Sequence, residues 1–139
     1  MNTYTGSCLC GGVQFSIQGD IGPIQICHCV QCRKAQGTAL ATNVPVKAEA
    51  FVLDAGAGLL SSFESSPGKQ RVFCRTCGSP VYSRRDTLPG ILRIRLGLIN
   101  EDLDAPLLAH FHRGSRANWW PVCDGLPQYE AGADSRRMA

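Results

Sequence analysis

Val13, Phe15 and Ile17 alternate with Gln14, Ser16 and Gln18, the period-two pattern of a strand that buries one face. Gly11-Gly12 and Gly19-Asp20 punctuate its ends. The alternation recurs at Leu92, Ile94, Leu96 and Leu98 against Arg93, Arg95 and Gly97, which predicts the strongest strand of the chain, with two arginines together on its polar face. Shorter strands are expected over residues 24–27, 39–46, 59–63, 70–73, 80–82 and 108–112, each bounded by Gly, Pro, Ser or Asp. Only residues 30–36 suit a turn of helix. Many short strands at fairly regular spacing predict a mainly β fold of short antiparallel sheets rather than an alternating βαβ protein. The 139 residues suit a single domain, expected over residues 1–130, with 131–139 as a flexible C-terminal tail.

Composition leaves that picture in place. Hydrophobic residues at 44% and charged residues at 18% are ordinary for a folded globular protein and exclude a disordered scaffold. The start, MNTYTGS, has neither the basic nor the apolar region of a secretory signal, and the apolar stretches are too short to span a bilayer. A cytoplasmic protein with no membrane partner is therefore expected. In that compartment thiols stay reduced, and clustered cysteines are metal sites rather than disulfides.

The cysteines form such clusters. Seven of the eight fall into three groups: Cys8 and Cys10 in SCLCGG, Cys27, Cys29 and Cys32 in CHCVQCRKAQG, and Cys74 and Cys77 in FCRTCGSP. In an extended segment, residues i and i+2 share a face, so each C-x-C aims two sulfurs at one ion. In C-x-x-C the chain folds back, and a glycine such as Gly78 permits the left-handed turn that presents backbone N–H groups to sulfur. The middle group supplies three converging ligands alone. The two outer pairs then combine as a closed four-thiolate site of Cys8, Cys10, Cys74 and Cys77, a structural zinc by type. An iron–sulfur cluster fits less well, because C-x-C-x-x-C matches neither common ferredoxin spacing. Counting seven thiolates and two zinc ions brings the formal charge of +3 to about zero, which weakens any argument for a nucleic-acid partner.

A zinc held by Cys27, Cys29 and Cys32 keeps a fourth position for water, a substrate or a thiolate, unless a histidine or Cys123 closes it. Three ligands also hold an ion less firmly than four, so partial occupancy is expected there. His28, between two ligands, is expected to turn to the opposite strand face, either as a hydrogen-bonded support or as a proton carrier. His110 and His112 flank Phe111 and are expected to share a face from which either could act as acid or base. Arg33 and Lys34 follow the last thiolate, where positive charge favours ionised sulfur and attracts an anionic substrate. Trp119 and Trp120 could wall a ligand, although packing of at least one indole in the core is the expectation. Cys123, alone, is expected to be a small buried hydrophobe.

The order C-x-C, C-x-C-x-x-C-R-K and C-x-x-C-G resembles the glutathione-dependent formaldehyde-activating enzymes and their relatives, over residues 6–63, again over 73–82, and more faintly over 97–119. The resemblance implies a zinc-pinned β-tent. It also implies two zinc ions per chain, the structural one on Cys8, Cys10, Cys74 and Cys77 and the catalytic one on Cys27, Cys29 and Cys32, matching the partition by spacing. The implied activity is that of a carbon–sulfur lyase acting on adducts of a small thiol such as glutathione with an aldehyde such as formaldehyde. His28, His110 and His112 are the candidate acids and bases, and Arg33, Lys34 and Trp119 the candidate substrate contacts. The chain also resembles the domain of centromere protein V, which keeps open a non-catalytic, zinc-stabilised binding module for a protein or nucleic-acid partner.

Overall fold

The computed structural model describes residues 2–138. Its strands begin with β1 (Thr3–Ser7), β2 (Gln14–Gln18), β3 (Ile24–Cys27), β4 (Ala41–Lys47), β5 (Phe51–Ala55) and β6 (Leu60–Ser66). They continue with β7 (Lys69–Cys74), β8 (Pro80–Arg85), β9 (Ile91–Arg95), β10 (Leu107–Phe111), β11 (Gln128–Tyr129) and β12 (Arg137–Met138). One α-helix, α1 (Val30–Gln36), separates β3 from β4 and covers the residues expected. The fold is mainly β, with open sheets, as the alternation predicts. The chain groups into two compact units, residues 2–21 with 44–104, and residues 22–43 with 105–138. β4 runs from the second unit into the first.

In the first unit β2 lies between β1 and β5 and is antiparallel to both. β6, β7, β8 and β9 form a second antiparallel ladder. Val13, Phe15, Ile17, Val81 and Ile94 are fully buried. Phe51 links the two sheets, stacking on Phe15 with centroids 5.1 Å apart and meeting Tyr82 edge-on at 5.5 Å. Gly6 is the cross-strand partner of Phe15, and a Cβ there would be driven into the Phe15 ring. Gly6→Ala is thus expected to lower stability by about 1–3 kcal/mol through overpacking, read as a lower denaturant midpoint at an unchanged slope.

Two expectations change in this unit. The alternation at Leu92 to Leu98 yields a strand only through Arg95, and Leu96–Leu98 form a 3-10 turn, since Gly97 gives the strand no side chain to pack. Arg95, expected on a polar face, is buried. Two strands, β1 and β5, carry too little alternation to stand out in the sequence.

The second unit is built around β3. On one side β3 pairs antiparallel with the start of β4 (Cys27 opposite Ala41), and on the other it pairs parallel with β10 (Phe111 opposite Cys27, His110 opposite Ile26). β10 also bridges β11 in parallel through His110 and Gln128. These parallel contacts depart from the all-antiparallel pattern. They are possible because β10 returns to β3 after a long excursion through the first unit rather than by a hairpin. Residues 131–138 fall in the segment expected as a flexible tail, whose last residue, 139, lies outside the described residues. β12 pairs antiparallel with β11, and a turn closed by Glu130 N–H to Arg136 O (2.9 Å) and Ala131 N–H to Ser135 Oγ (2.8 Å) brings it back. No helix among the described residues is long and apolar enough to cross a membrane.

Candidate metal centres

In the first unit, Cys8 leaves β1 into a tight turn closed by Gly11 N–H to Cys8 O (3.0 Å) and Cys8 N–H to Val13 O (3.1 Å). The turn brings the Val13 N–H to 3.3 Å from Cys8 Sγ. Cys74 ends β7 in the expected knuckle, with Gly78 N–H on Cys74 O at 2.7 Å and Gly78 at φ +81°. Such a turn aims N–H groups inward, where ionised sulfur accepts them. Ser79, unremarked in the sequence, ties the halves together: its Oγ accepts the Leu9 N–H at 2.9 Å and lies 3.4 Å from Cys77 Sγ.

The sulfurs of Cys8, Cys10, Cys74 and Cys77 all lie within 4.8 Å of one another. Cys8 and Cys10 are 3.5 Å apart and Cys10 and Cys74 3.8 Å. A tetrahedron with metal–sulfur bonds of about 2.3 Å has edges of about 3.8 Å, so this spacing fits a four-thiolate ion. The thiols are already differentiated. Hydrogen bonds from the Ser79 hydroxyl and backbone hold Cys77 down at about 5. Burial pushes Cys8 up, but the Val13 N–H and Cys10 outweigh it and leave Cys8 lowered. Cys10 is lowered by the Gly12 N–H, yet the proton it shares with Cys8 carries it up to about 11. Four adjacent thiolates repel one another, and a divalent cation removes that penalty.

In the second unit Cys27 closes β3, Cys29 is the N-cap of α1 and Cys32 lies in its first turn. Cys29 Sγ accepts the Cys32 N–H at 3.2 Å, and Gly37, at φ 67°, ends the helix with its N–H on Arg33 O. The three sulfurs lie within 4.8 Å of one another, and no His, Asp or Glu atom of a described residue completes the group. Cys123, weighed as a closing ligand and otherwise expected in the core, is exposed and outside the group. The Cys27 thiol is pushed up by hydrogen bonding to Cys29, then to Cys32, and by burial. These sulfurs too cannot all ionise without a cation.

His28 behaves as alternation requires. Ile26 and His110 are register partners, and His28, two residues after Ile26, joins them on the face away from Cys27. There His28 Nε2 lies 2.7 Å from His110 Nδ1, and His110 Nε2 lies 2.8 Å from Asp124 Oδ2. Both histidines are buried, whereas the Asp124 side chain is 40% exposed. Burial, then the neighbouring His110, holds the His28 imidazole down at about 4, so it is neutral at pH 7. Burial pushes Asp124 up, but the hydrogen bonds from His110 and the Leu126 N–H prevail and leave its carboxyl lowered. His112 does not share the face of His110: β10 stops at Phe111, and His112 adopts φ 56°, which turns the chain.

Arg33, Lys34 and Trp119 line one cleft of about 410 Å³ with Val30, Gly37 and Thr38. Val30, Arg33, Lys34 and Gly37 follow the i, i+3, i+4, i+7 spacing of one helix face. Cys32 is on the opposite side of α1, and Cys29, one turn before Arg33, lies between the two faces. The Arg33 guanidinium is fixed at one end by Ser115 O at 3.1 Å, while its buried Nε has no protein partner. Trp119 and Trp120 are both substantially exposed, contrary to the expected core packing of an indole.

Residues 3–113 match the family described as glutathione-dependent formaldehyde-activating enzyme. The chain belongs to this family. The match takes in all seven clustered cysteines, His28, Arg33, Lys34, His110 and His112, and stops before Trp119, Cys123 and Asp124. A structural-genomics crystal structure of a Rhodobacter sphaeroides protein is similar in fold, with a TM-score of 0.61 over 74% of this chain and 98% of its own, at 21% identity. No curated protein matches the chain. The likeness to centromere protein V is not shown. Asp124, Ser79, Val30 and Thr38 are the site residues that motif reading missed. Only Asp124 carried a local signal, an Asp-Gly-Leu-Pro turn whose carboxylate takes the Leu126 N–H at 3.0 Å.

Proposed function

We propose that this member of the formaldehyde-activating family is a zinc-dependent carbon–sulfur lyase that joins a small thiol, glutathione or a close analogue, reversibly to formaldehyde or a similar small aldehyde. Cys8, Cys10, Cys74 and Cys77 would hold one ion as a structural centre, and Cys27, Cys29 and Cys32 would hold a second. The observation that carries this reading is the three-sulfur group, to which no fourth His, Cys, Asp or Glu of a described residue is joined, in a chain of a glutathione-dependent family. When bound there, zinc supplies Lewis acidity and favours the ionised form of a neighbouring thiol.

The chain's own residues supply binding and proton management. Forming the adduct takes a proton from the thiol and returns one to the new hydroxyl, so one imidazole serves both directions. His28 and His110, hydrogen-bonded to each other, are the candidate pair to carry that proton. His112, turned out of the strand, is not assigned a part in this pair. Arg33 and Lys34 receive carboxylates of a peptide thiol, Trp119 covers its backbone, and the cleft of about 410 Å³ lies within the roughly 300–1,000 Å³ of small-molecule sites.

Calorimetric titration of the zinc-loaded protein with glutathione and with S-methylglutathione tests the reading. Glutathione is expected to bind at least about tenfold more tightly, a difference of about 1.4 kcal/mol. Equal affinities would remove the sulfur from recognition. The exposed Val30, Leu107, Leu108, Trp119 and Trp120 of the second unit favour the alternative of a zinc-stabilised binding module, and absence of binding by both forms, with or without aldehyde, would decide for it.

A further inference from the structure

β6 is the outer strand of its ladder: β7 lies on one side, and no described strand lies on the other. It has seven residues, LSSFESS, against five in β1 and in β5, the outer strands of the other sheet of the first unit. The outer side of β1 is covered, with Asn100 N–H on Thr5 O at 2.8 Å and Thr5 N–H on Glu101 Oε1 at 2.7 Å. The middle of β6, Ser62, Phe63 and Glu64, is exposed, and Phe63 reaches 64%. Open edges are ordinarily blunted by Lys, Pro, a bulge or shortness. β6 has no Lys or Pro, and its register shift comes only after Glu64.

The ladder shows which backbone groups point outward. Arg75 N–H meets Leu59 O at 2.8 Å, whereas Cys74 N–H, opposite Leu60, turns away to Ser79 O at 3.0 Å. Bonding alternates along an antiparallel pair, so Ser61 and Phe63 bond toward β7 while Leu60, Ser62 and Glu64 aim N–H and C=O outward.

We propose that β6 is a self-pairing edge: the β6 strands of two copies of this chain add antiparallel across a two-fold axis at Phe63. The order of residues about Phe63 selects a second copy as the occupant. In this register Ser62 of each copy meets Glu64 of the other, both with outward groups, so each such pair exchanges two backbone bonds. Phe63 meets the second copy's Phe63 at the non-hydrogen-bonded position between them, where side chains come closest, and Ser61 meets Ser65. A slide of two residues one way opposes the two Glu64 carboxylates, and a slide the other way sets Phe63 against Ser61. The contact is isologous, so it closes at two copies. A single strand pair buries less than the roughly 1,000 Å² of a stable interface, so the dimer is weak and depends on concentration.

The test is sedimentation velocity of the zinc-loaded chain over a wide series of concentrations reaching the high micromolar. A reducing buffer keeps the exposed Cys10 and Cys123 from linking chains. The mass is expected to rise with concentration from one chain to two. Phe63→Glu places two carboxylates opposite each other across the axis, and Ser62→Pro removes an outward N–H that β7 does not use. Each is expected to weaken the dimer about tenfold or more, with far-ultraviolet dichroism unchanged. The two changes remove different parts of the contact, so a variant that failed to fold would leave the other to decide. A wild type that stays a single chain throughout would overturn the proposal without any variant. A dimer that survives both changes would place the contact elsewhere and overturn it. So would a folded Ser62→Pro chain that still dimerises while Phe63→Glu does not, because side chains and not strand addition would then make the contact.

Discussion

A chain carrying Cys74→Ala is expected to lose the metal of the first unit and, with it, the cooperative fold of residues 2–21 and 44–104. Cys74 is fully buried at the end of β7, and its sulfur lies 3.8 Å from Cys10, 64 residues away in sequence. Closing a loop of that length costs about 4 kcal/mol of chain entropy. Binding of a structural zinc supplies roughly 10–16 kcal/mol, against a total stability of about 5–15 kcal/mol for an ordinary domain. Three remaining thiolates, one of them the exposed Cys10, cannot hold the ion with comparable affinity. The measurement is urea unfolding with zinc quantitation on the same samples. Chelation of the wild type should reproduce the variant's behaviour, and added zinc should not restore it. A variant that keeps the wild-type midpoint without metal would end the structural assignment.

Legibility of the fold followed the strength of burial on one strand face. β2, with Phe15 and Ile17 buried and Gln14 and Gln18 exposed, is written plainly in the alternation, and α1 is bounded by residues with evident roles, Cys29 at its N-cap and Gly37 beyond its end. β1 is not legible: its sequence TYTGS is polar, and its place depends on pairing with β2 and on Gly6 making room for Phe15. That is tertiary context, which overrides propensity. The parallel pairing of β10 with β3 is equally a long-range fact. Neither segment carries a local signal of its partner's direction.

The metal groups were legible because coordination fixes both residue type and spacing. A soft cation asks for sulfur, and C-x-C and C-x-x-C are the local geometries that converge on one point. The histidines were only half legible. Alternation turned His28 correctly away from its neighbours, but it failed for His112, since the reversal at φ 56° leaves no mark that strand periodicity registers. Asp124 carried the signal of its own turn but none of its partner. It meets His110 across 14 residues of irregular chain, and nothing in a single sequence couples an aspartate in a turn to a histidine in a strand. The exposure of Trp119, Trp120 and Cys123 makes the same point from the opposite side, because apolar character alone does not say which residues the core has room for.

Cys29→Ala is expected to behave unlike Cys74→Ala, and the contrast separates the two centres. Cys27 and Cys32 are five positions apart, so their loop costs only about 2 kcal/mol to close, and little of the fold depends on a metal to hold it. β3 keeps its ladders with β4 and β10 through backbone groups that the substitution leaves alone. The local loss is the N-cap, where Cys29 Sγ accepts the Cys32 N–H, worth about 1 kcal/mol. If both proposed centres take zinc, the metal content should fall to that of the four-cysteine centre alone, while far-ultraviolet dichroism stays close to wild type and the melting temperature drops by a few degrees. Glutathione binding should become too weak to measure by calorimetry, because the two remaining sulfurs no longer define the site, even though Arg33, Lys34 and Trp119 still line the cleft. Retention of full glutathione affinity would assign recognition to the cleft alone, and global unfolding would make the three-sulfur group a second structural centre.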